Sequence, residues 1–187
     1  EEQSVALLQE TLKEEDFTVE AGVAGMPTAF IASYGSGKPV IAVLGEYDAL
    51  PGLSQKAVAH KESNGGVAGH ACGHHLFGTA STAAAITIKK YLEETGKSGT
   101  IRFYGCPAEE GGSGKVYLTR AGLFNDVDAV INWHPGNANG ADPGAALANK
   151  SAKFRFHGIA AHAAGAPEKG RSALDGVEAM NYMVNMM

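Results

Sequence analysis

The sequence of 187 residues has no excess of basic residues and no long apolar run. Lys and Arg number 15 against 20 Asp and Glu, which gives a formal net charge of -5 at pH 7. A negative net charge does not favour binding to the phosphates of a nucleic acid, so we expect no nucleic-acid partner. The purely apolar stretches are far shorter than the roughly 20 residues that a membrane-spanning helix needs. We therefore expect no membrane partner either.

Cysteine is also scarce, since the chain contains only Cys72 and Cys106. Two cysteines cannot build the disulfide framework of a small secreted domain, and a reducing, cytoplasmic setting fits better. Glycine is abundant, with 25 residues, many of them beside His, Glu or Pro. With 44% hydrophobic and 19% charged residues, the composition is that of a globular protein with a buried core. The glycines therefore indicate tight turns around a site rather than low complexity.

The order of apolar and polar segments predicts alternating strands and helices. Residues 40–44 form a nearly continuous apolar run, which is typical of a strand covered on both faces. Further strands are predicted at residues 99–107 and 128–135, with helices at 76–96 and 113–124. This alternation favours an α/β fold with a mostly parallel sheet flanked by helices.

The pattern changes near residue 150, where we place a domain boundary. Residues 136–150 are rich in Gly, Asn and Ala and show no period. Residues 152–158 then alternate as a strand with one solvated face, and a helix follows that reaches residue 187 without a Gly or Pro stop signal. The first helix is likewise already under way at Ser4. We interpret the sequence as a fragment, in which any signal peptide would precede residue 1.

The segment GHACGHHLFG, residues 69–78, places three histidines and a cysteine within six positions. A zinc knuckle would need a second Cys or His pair at short spacing, which the sequence does not contain. Cys72 could instead be a buried small hydrophobe, half of a disulfide, a nucleophile with a His base, or a ligand in a metal site completed elsewhere. The segment alone leaves these alternatives open.

Other reactive side chains follow the predicted strands. Glu46 and Asp48 come after the first strand, the Glu109–Glu110 pair after the second, and His134 after the third. In open α/β sheets such positions share the carboxyl edge, where ligands bind. The glutamates could simply start a helix, and a lone histidine is often structural. Together with the cysteine segment, however, they suit two divalent metals, with one glutamate binding metal and its neighbour acting as a base.

Four segments in order, GEYDALPG, GHACGHH, CPAEEGGSG and NWHPG, resemble the amidohydrolase branch of the co-catalytic di-metal metallopeptidase and aminoacylase family. The resemblance implies a metal-dependent amidohydrolase that cleaves the amide bond of an N-acyl or aminobenzoyl amino acid, such as p-aminobenzoyl-glutamate. Two alternatives stay open: a deacylase or dipeptidase acting on another substrate, and a non-catalytic metal-binding or dimerisation module. The presence of Glu109 favours an enzyme, because a degenerate relative would be free to lose its base.

The same resemblance implies a role for individual residues. Two divalent ions, zinc or manganese, would be held by Cys72, His74, Glu110 and His134. Glu109 would be the general base for a metal-activated water. Asp48 would be a carboxylate that orients the site. Glu46 stands where many relatives have a histidine ligand, and His70 and His75 receive no role.

The resemblance also bears on domains and partners. Residues 1–150 would be the N-terminal part of the catalytic domain, and residues 151–187 the start of a smaller α+β dimerisation or lid domain. His162 and Arg171 would contact substrate, His162 across a homodimer, and a related second subunit is a further expected partner. Relatives carry a last histidine ligand near the C-terminus, beyond the last residue of this sequence.

Overall fold

The structure, a computed structural model, describes residues 1–141 and 144–187. It divides into two compact units, Glu1–Asn139 and Gly140–Met187. The sequence pattern predicts a domain boundary near residue 150, and that domain assignment stays a prediction. None of the helices in the described ranges combines the length and apolarity needed to cross a membrane.

The first unit is built on a five-stranded mixed sheet and a separate two-stranded ribbon. The strands are β1 Thr18–Ala21, β2 Phe30–Ser36, β3 Val40–Glu46, β4 Leu50–Pro51, β5 Ala68–Gly69, β6 Gly99–Cys106 and β7 Ala129–Ile131. Strands β6 and β7 both run parallel to β3, whereas β2 is antiparallel to β1 and β6, and the sheet order is β1-β2-β6-β3-β7. A short antiparallel ribbon, β4 with β5, lies outside this sheet. The α/β class is confirmed. The sheet is mixed because β2 runs antiparallel to both of its neighbours, and the short connection between β1 and β2 permits only antiparallel pairing of those two strands.

Helices cover both faces of the sheet. On one face Leu12 and Ala85 pack with Phe103, and on the other Leu118 packs with Tyr104, all of them fully buried. Apolar cores on both faces explain the nearly continuous apolar run of β3. The helices are α1 Glu2–Glu14, α2 His74–Thr95, α3 Glu109–Gly112, α4 Gly114–Arg120 and α5 Ala173–Val184, with 3-10 turns at Val23–Gly25 and Pro167–Lys169.

Two glycines allow α2 to lie close against the end of β3. A Cβ atom at Gly78 would be 2.7 Å from the backbone oxygen of Glu46. A Cβ atom at Gly45 would be 2.5 Å from the ring of Phe103. A larger residue at Gly78 would force α2 away from β3, and one at Gly45 would displace the Phe103 ring. Because Gly78 lies one helical turn after His74, this close packing places His74 beside the last residue of β3.

The second unit contains α5, whose first turn is capped by the Ser172 hydroxyl accepting from the Asp175 N–H at 3.1 Å. Ile159 and Arg171 form an isolated antiparallel bridge. The predicted strand at residues 152–158 is wrong, since the structure assigns these residues to no strand. Alternation of apolar and polar residues is not sufficient, because a strand also needs a neighbour that accepts and donates its backbone hydrogen bonds.

Candidate metal centre

The three mutually parallel strands end at one edge of the sheet, and reactive side chains follow each of them. Glu46 is the last residue of β3, and Asp48 lies two residues further on. Glu109 and Glu110 open α3 directly after β6, and His134 lies three residues after the end of β7. Cys72 and His74 reach the same edge at the start of α2, so the structure brings together all of the predicted residues of this unit.

The backbone around α3 is tightly constrained. Ala108 lies in the left-handed region at φ 53°, a conformation that costs a non-glycine residue about 1–2 kcal/mol. A Cβ atom at Gly114 would be 2.0 Å from the backbone oxygen of Pro107. These restraints turn the chain sharply after β6 and direct the first turn of α3 toward the edge. Unusual backbone conformations of this kind are frequent at functional sites.

His74 lies at the centre of the cluster and is only 1% exposed. Its Nδ1 N–H donates to Asp48 Oδ1 at 2.9 Å and lies 3.2 Å from the backbone oxygen of Asp48. Since both neighbours of Nδ1 are acceptors, the neutral ring carries its hydrogen there. Nε2 is then a lone-pair donor, and carboxylate oxygens of Glu46, Glu109 and Glu110 lie 2.9, 3.9 and 4.0 Å from it.

Cys72 and His134 form a second pair of donor atoms beside His74. The Cys72 sulfur lies 3.3 Å from His134 Nε2, while His134 Nδ1 lies 2.9 Å from the backbone oxygen of Pro135. The ligand atoms of Cys72, His74 and His134 lie within 4.8 Å of one another, as do those of Glu46, His74 and Glu109. The two groups share His74, whose Nε2 has one lone pair and can bind only one cation, so a second cation would have to be held by the remaining donors.

The surroundings of the two thiols bear on the alternatives for cysteine. Burial raises the pKa of Cys72 to about 11, assisted by a hydrogen bond and negative charge from Glu110 and by the charges of Glu109 and Glu46. Burial raises the pKa of Cys106 to about 12, and that thiol is inaccessible. Both cysteines are free, so the described residues contain no disulfide. The carboxylates around Cys72 disfavour a free thiolate, which a cysteine nucleophile needs, whereas a thiol that binds a metal is deprotonated by the ion.

The residues fit a divalent metal ion on a separate ground. His74 Nε2 and Glu46 Oε2 are both buried, and neither has a hydrogen-bond partner among the described residues. They lie 2.9 Å apart, but they are not aligned as a hydrogen bond. Buried polar atoms are nearly always satisfied, so each exception calls for an explanation. Imidazole nitrogen, thiolate and carboxylate oxygen are the donors that zinc and manganese accept.

Two further interactions hold the carboxylates in place. Asp48 Oδ2 accepts the backbone N–H of Glu110 at 2.9 Å, so one carboxylate contacts both His74 and α3. Lys115 forms an ion pair with Glu46 Oε1. Sequence reasoning assigns no role to Glu46 and does not single out Lys115. The available signal is a lone lysine five positions after an acidic pair, at an edge otherwise rich in carboxylates.

His70 and His75 lie next to this cluster but outside the two donor groups. Their rings are 5.1 Å apart, and burial lowers the pKa of His70, assisted by the charge of His75. Both line a cavity of about 830 Å³ together with Lys56 and Lys61 of the loop between β4 and β5. A cavity of this volume is large enough to receive a small ligand.

His162 and Arg171 lie in the second unit. The His162 Nδ1 atom accepts the backbone N–H groups of Ala164 and Gly165, at 3.2 and 2.9 Å, within a local turn. Arg171 is exposed, and its backbone pairs with Ile159. Their predicted contacts with substrate stay a prediction.

Comparison with known proteins gives curated relatives of high similarity. The chain is 54% identical over 182 residues to one subunit of the p-aminobenzoyl-glutamate hydrolase of Escherichia coli, covering 96% of this chain and 38% of the relative. It is 35% identical to the Xaa-Arg dipeptidase of Mus musculus, covering 81% of this chain and 33% of that protein. The chain therefore spans about a third of the length of these relatives. The likeness to the Escherichia coli hydrolase confirms the resemblance carried by the segments around Cys72 and Glu109.

Solved structures and family models agree with these relatives. A dinuclear metal-binding peptidase of the M20 family from Bacillus subtilis superposes with a TM-score of 0.61 at 28% identity, covering 72% of this chain and 37% of that one. The model of Peptidase family M20/M25/M40 matches residues 42–179, which include every predicted site residue. The chain described here belongs to Peptidase family M20/M25/M40.

Proposed function

We propose that this chain carries the metal centre of a metal-dependent amidohydrolase that cleaves an N-acyl or aminobenzoyl amino acid. The observation that carries the proposal is the convergence of Cys72, His74 and His134, whose donor atoms lie within 4.8 Å of one another. These atoms come from two separate parts of the chain, residues 72–74 and 134, so the fold has brought them together. Membership of a peptidase family supports hydrolysis as the chemistry.

In this proposal the ligands are Cys72, His74, Glu110 and His134, and the cofactors are two ions of zinc or manganese. The relative from Bacillus subtilis is described as dinuclear, which supports two ions. When bound, divalent ions supply Lewis acidity toward the amide carbonyl and acidify water at the site. The donor set accommodates either metal, because thiolate and imidazole suit zinc while carboxylates also suit manganese.

Glu109 is the proposed general base. Its side chain is 44% exposed, compared with 25% for Glu110, and its Oε2 lies 3.9 Å from His74 Nε2. It therefore combines access to solvent with a place beside the donor atoms. The carboxylate would accept a proton from the attacking water and return it to the nitrogen of the leaving amine. Glu110 is anchored through its backbone N–H to Asp48, which suits a ligand with a fixed position.

Substitution of each glutamate tests this division of labour in the full natural chain. Glu109→Gln should keep the metal content and lower kcat about a hundredfold or more, since general-base terms are typically 10²–10⁴. Glu110→Gln should lose metal. Glu94→Gln, an exposed carboxylate in the last turn of α2, is the matched control and should change neither quantity. Equal behaviour of the two variants, or the reverse pattern, would contradict the assignment.

A substrate panel separates the candidate activities. p-Aminobenzoyl-glutamate is the first substrate to test, because the Escherichia coli relative is named for its hydrolysis. Dipeptides ending in arginine are the second, because the mouse relative is named as an Xaa-Arg dipeptidase. Activity on neither substrate, nor on other N-acyl amino acids, with metal bound would favour the non-catalytic alternative.

The proposal extends to partners and compartment. The Escherichia coli relative is named as one subunit of its hydrolase, which supports a second, related subunit for this chain, in addition to a homodimer in which His162 would reach the partner's site. A cytoplasmic location is proposed from the two free cysteines. Size-exclusion chromatography with light scattering, with and without a co-expressed homologous chain, tests the proposed partners. Cell fractionation tests the cytoplasmic location.

A further inference from the structure

We propose that Glu46 is an additional ligand of the metal centre, binding through Oε2 to the same ion as His74, and that Lys115 positions it through Oε1. This inference rests on the proposed function and adds to its metal centre a carboxylate and a lysine. It concerns residues at the end of β3 and the start of α4.

The first argument is the burial of Glu46. Its side chain is only 5% exposed, yet just one of its oxygens is paired, with Lys115. The other oxygen is buried without a hydrogen-bond partner among the described residues. Leaving a buried charged oxygen unsatisfied is costly, so a carboxylate in this position needs a second positive or donor group.

The second argument is what Glu46 Oε2 faces. His74 Nε2 lies 2.9 Å from it, and Nδ1 of the same ring faces two acceptor oxygens of Asp48, so a ring with its single hydrogen on Nδ1 presents its lone pair to Glu46. Two electron-rich atoms at this distance repel each other unless a cation lies between or beside them. Metal bonds of about 2.0–2.2 Å to nitrogen and oxygen place both atoms within reach of one ion. The pair is therefore arranged for a shared cation.

Lys115 explains why the carboxylate keeps this orientation. Its ammonium neutralises one oxygen of Glu46, which fixes the rotation of the carboxylate and leaves the other oxygen toward His74. The lysine is itself 28% exposed, so its own desolvation is incomplete. Partners of this kind around ligating carboxylates typically change metal affinity 10–100-fold when removed. Lys115 is thus a positioning residue.

The test is metal affinity of the full natural chain, measured without substrate. Metal-free protein is titrated with Zn²⁺ against a chromophoric chelator, and with Co²⁺ while its visible absorption reports the ligand set. Glu46→Gln should weaken binding of one ion about a hundredfold and alter the Co²⁺ spectrum. Lys115→Met should weaken it about 10–100-fold, and Lys115→Arg should restore most of the loss.

Two variants distinguish direct binding of the metal by Glu46 from the general effect of a negative charge near the site. Glu46→Asp keeps the charge but withdraws the oxygen, so ligation predicts a loss of affinity close to that of Glu46→Gln. Full affinity in Glu46→Asp would overturn the inference. Asp128→Asn breaks the exposed ion pair between Lys38 and Asp128 at the opposite end of β3 and should leave affinity unchanged. Circular dichroism and thermal unfolding of each metal-free variant confirm that the fold is retained.

Cys72→Ser makes the outcome of the inference distinct from that of the proposed function. Loss of affinity in Cys72→Ser with full affinity in Glu46→Gln would overturn the role of Glu46 and leave the metal centre standing. Full affinity in both would overturn the metal centre as well. Loss in both, together with a changed Co²⁺ spectrum in Glu46→Gln, supports the inference.

Discussion

Replacement of Asp48 by asparagine tests how the proposed ligands are held. Asp48 is 9% exposed, and its two oxygens accept from different elements. Oδ1 accepts the Nδ1 N–H of His74 at 2.9 Å, and Oδ2 accepts the backbone N–H of Glu110 at 2.9 Å. One carboxylate therefore orients two of the proposed ligands.

The magnitude follows from the donor and acceptor count. An asparagine amide has one acceptor oxygen and one NH₂ group, so in either orientation one of the two N–H donors meets another donor. Hydrogen bonds to charged groups contribute about 1.5–3 kcal/mol each. We expect Asp48→Asn to lose about this much free energy of unfolding. A tenfold change in affinity corresponds to about 1.4 kcal/mol, so we expect metal binding to weaken about 10–100-fold, the usual range for such partners.

The assay is chelator competition with Zn²⁺, paired with thermal unfolding of the metal-free and metal-loaded protein. Asp128→Asn is the matched control. Asp128 also accepts a backbone N–H, that of Val40 at 2.7 Å, and pairs with a cation, Lys38, at 3.0 Å. It undergoes the same chemical change at the other end of β3, and its metal affinity should stay at the wild-type value. Affinity of Asp48→Asn within twofold of wild type would refute the reasoning.

Two further predictions concern a cysteine and an ion pair. Cys72→Ser should weaken metal binding, and bound metal should protect Cys72 from thiol reagents. Cys106→Ser should lower only the unfolding temperature, because that thiol is buried. Equal labelling of Cys72 with and without metal would count against ligation. Hydrogen bonds from Arg102 lower the pKa of Asp126 below its ordinary value of 3.8. A group whose pKa is lower in the folded state stabilises the fold at pH values above its unfolded-state pKa. That stabilisation is lost as the pH falls through the folded-state pKa. Asp126→Asn should therefore unfold at a lower temperature than wild type at neutral pH, with the difference disappearing in acid below 3.8, as measured by thermal unfolding against pH.

The sequence predicts the place of the site better than its internal contacts. Strand ends can be located from apolar runs, and parallel strands end at a common edge, so Asp48, Glu110 and His134 could be grouped without a structure. The ion pair between Lys115 and Glu46 could not, because it depends on side-chain rotamers and on the turn after β6. Distance along the chain is no guide to such a pair, since 69 positions separate its members.

The sheet shows a similar limit. The pairing of β2 with β6 joins Phe30 to Gly105 and makes the sheet mixed. Both strands read as apolar segments, and nothing in their patterns specifies which neighbour each will take. The error at residues 152–158 has the same origin, because alternation predicts a face but not a partner. Pairing over long separations is decided by the packing of the whole unit.

The dependence of the site on that packing links metal binding to folding. The proposed ligands Cys72, Glu110 and His134 come from three segments that meet only when β3, β6, β7 and α2 are assembled. Gly78 sets how close α2 lies to β3, and Asp48 joins the start of α2 to α3. Since an unfolded chain has no such cluster, the free energy of binding adds to the free energy of folding. The buried and unpaired donor atoms of His74 and Glu46 are then the part of the fold that metal binding would stabilise most.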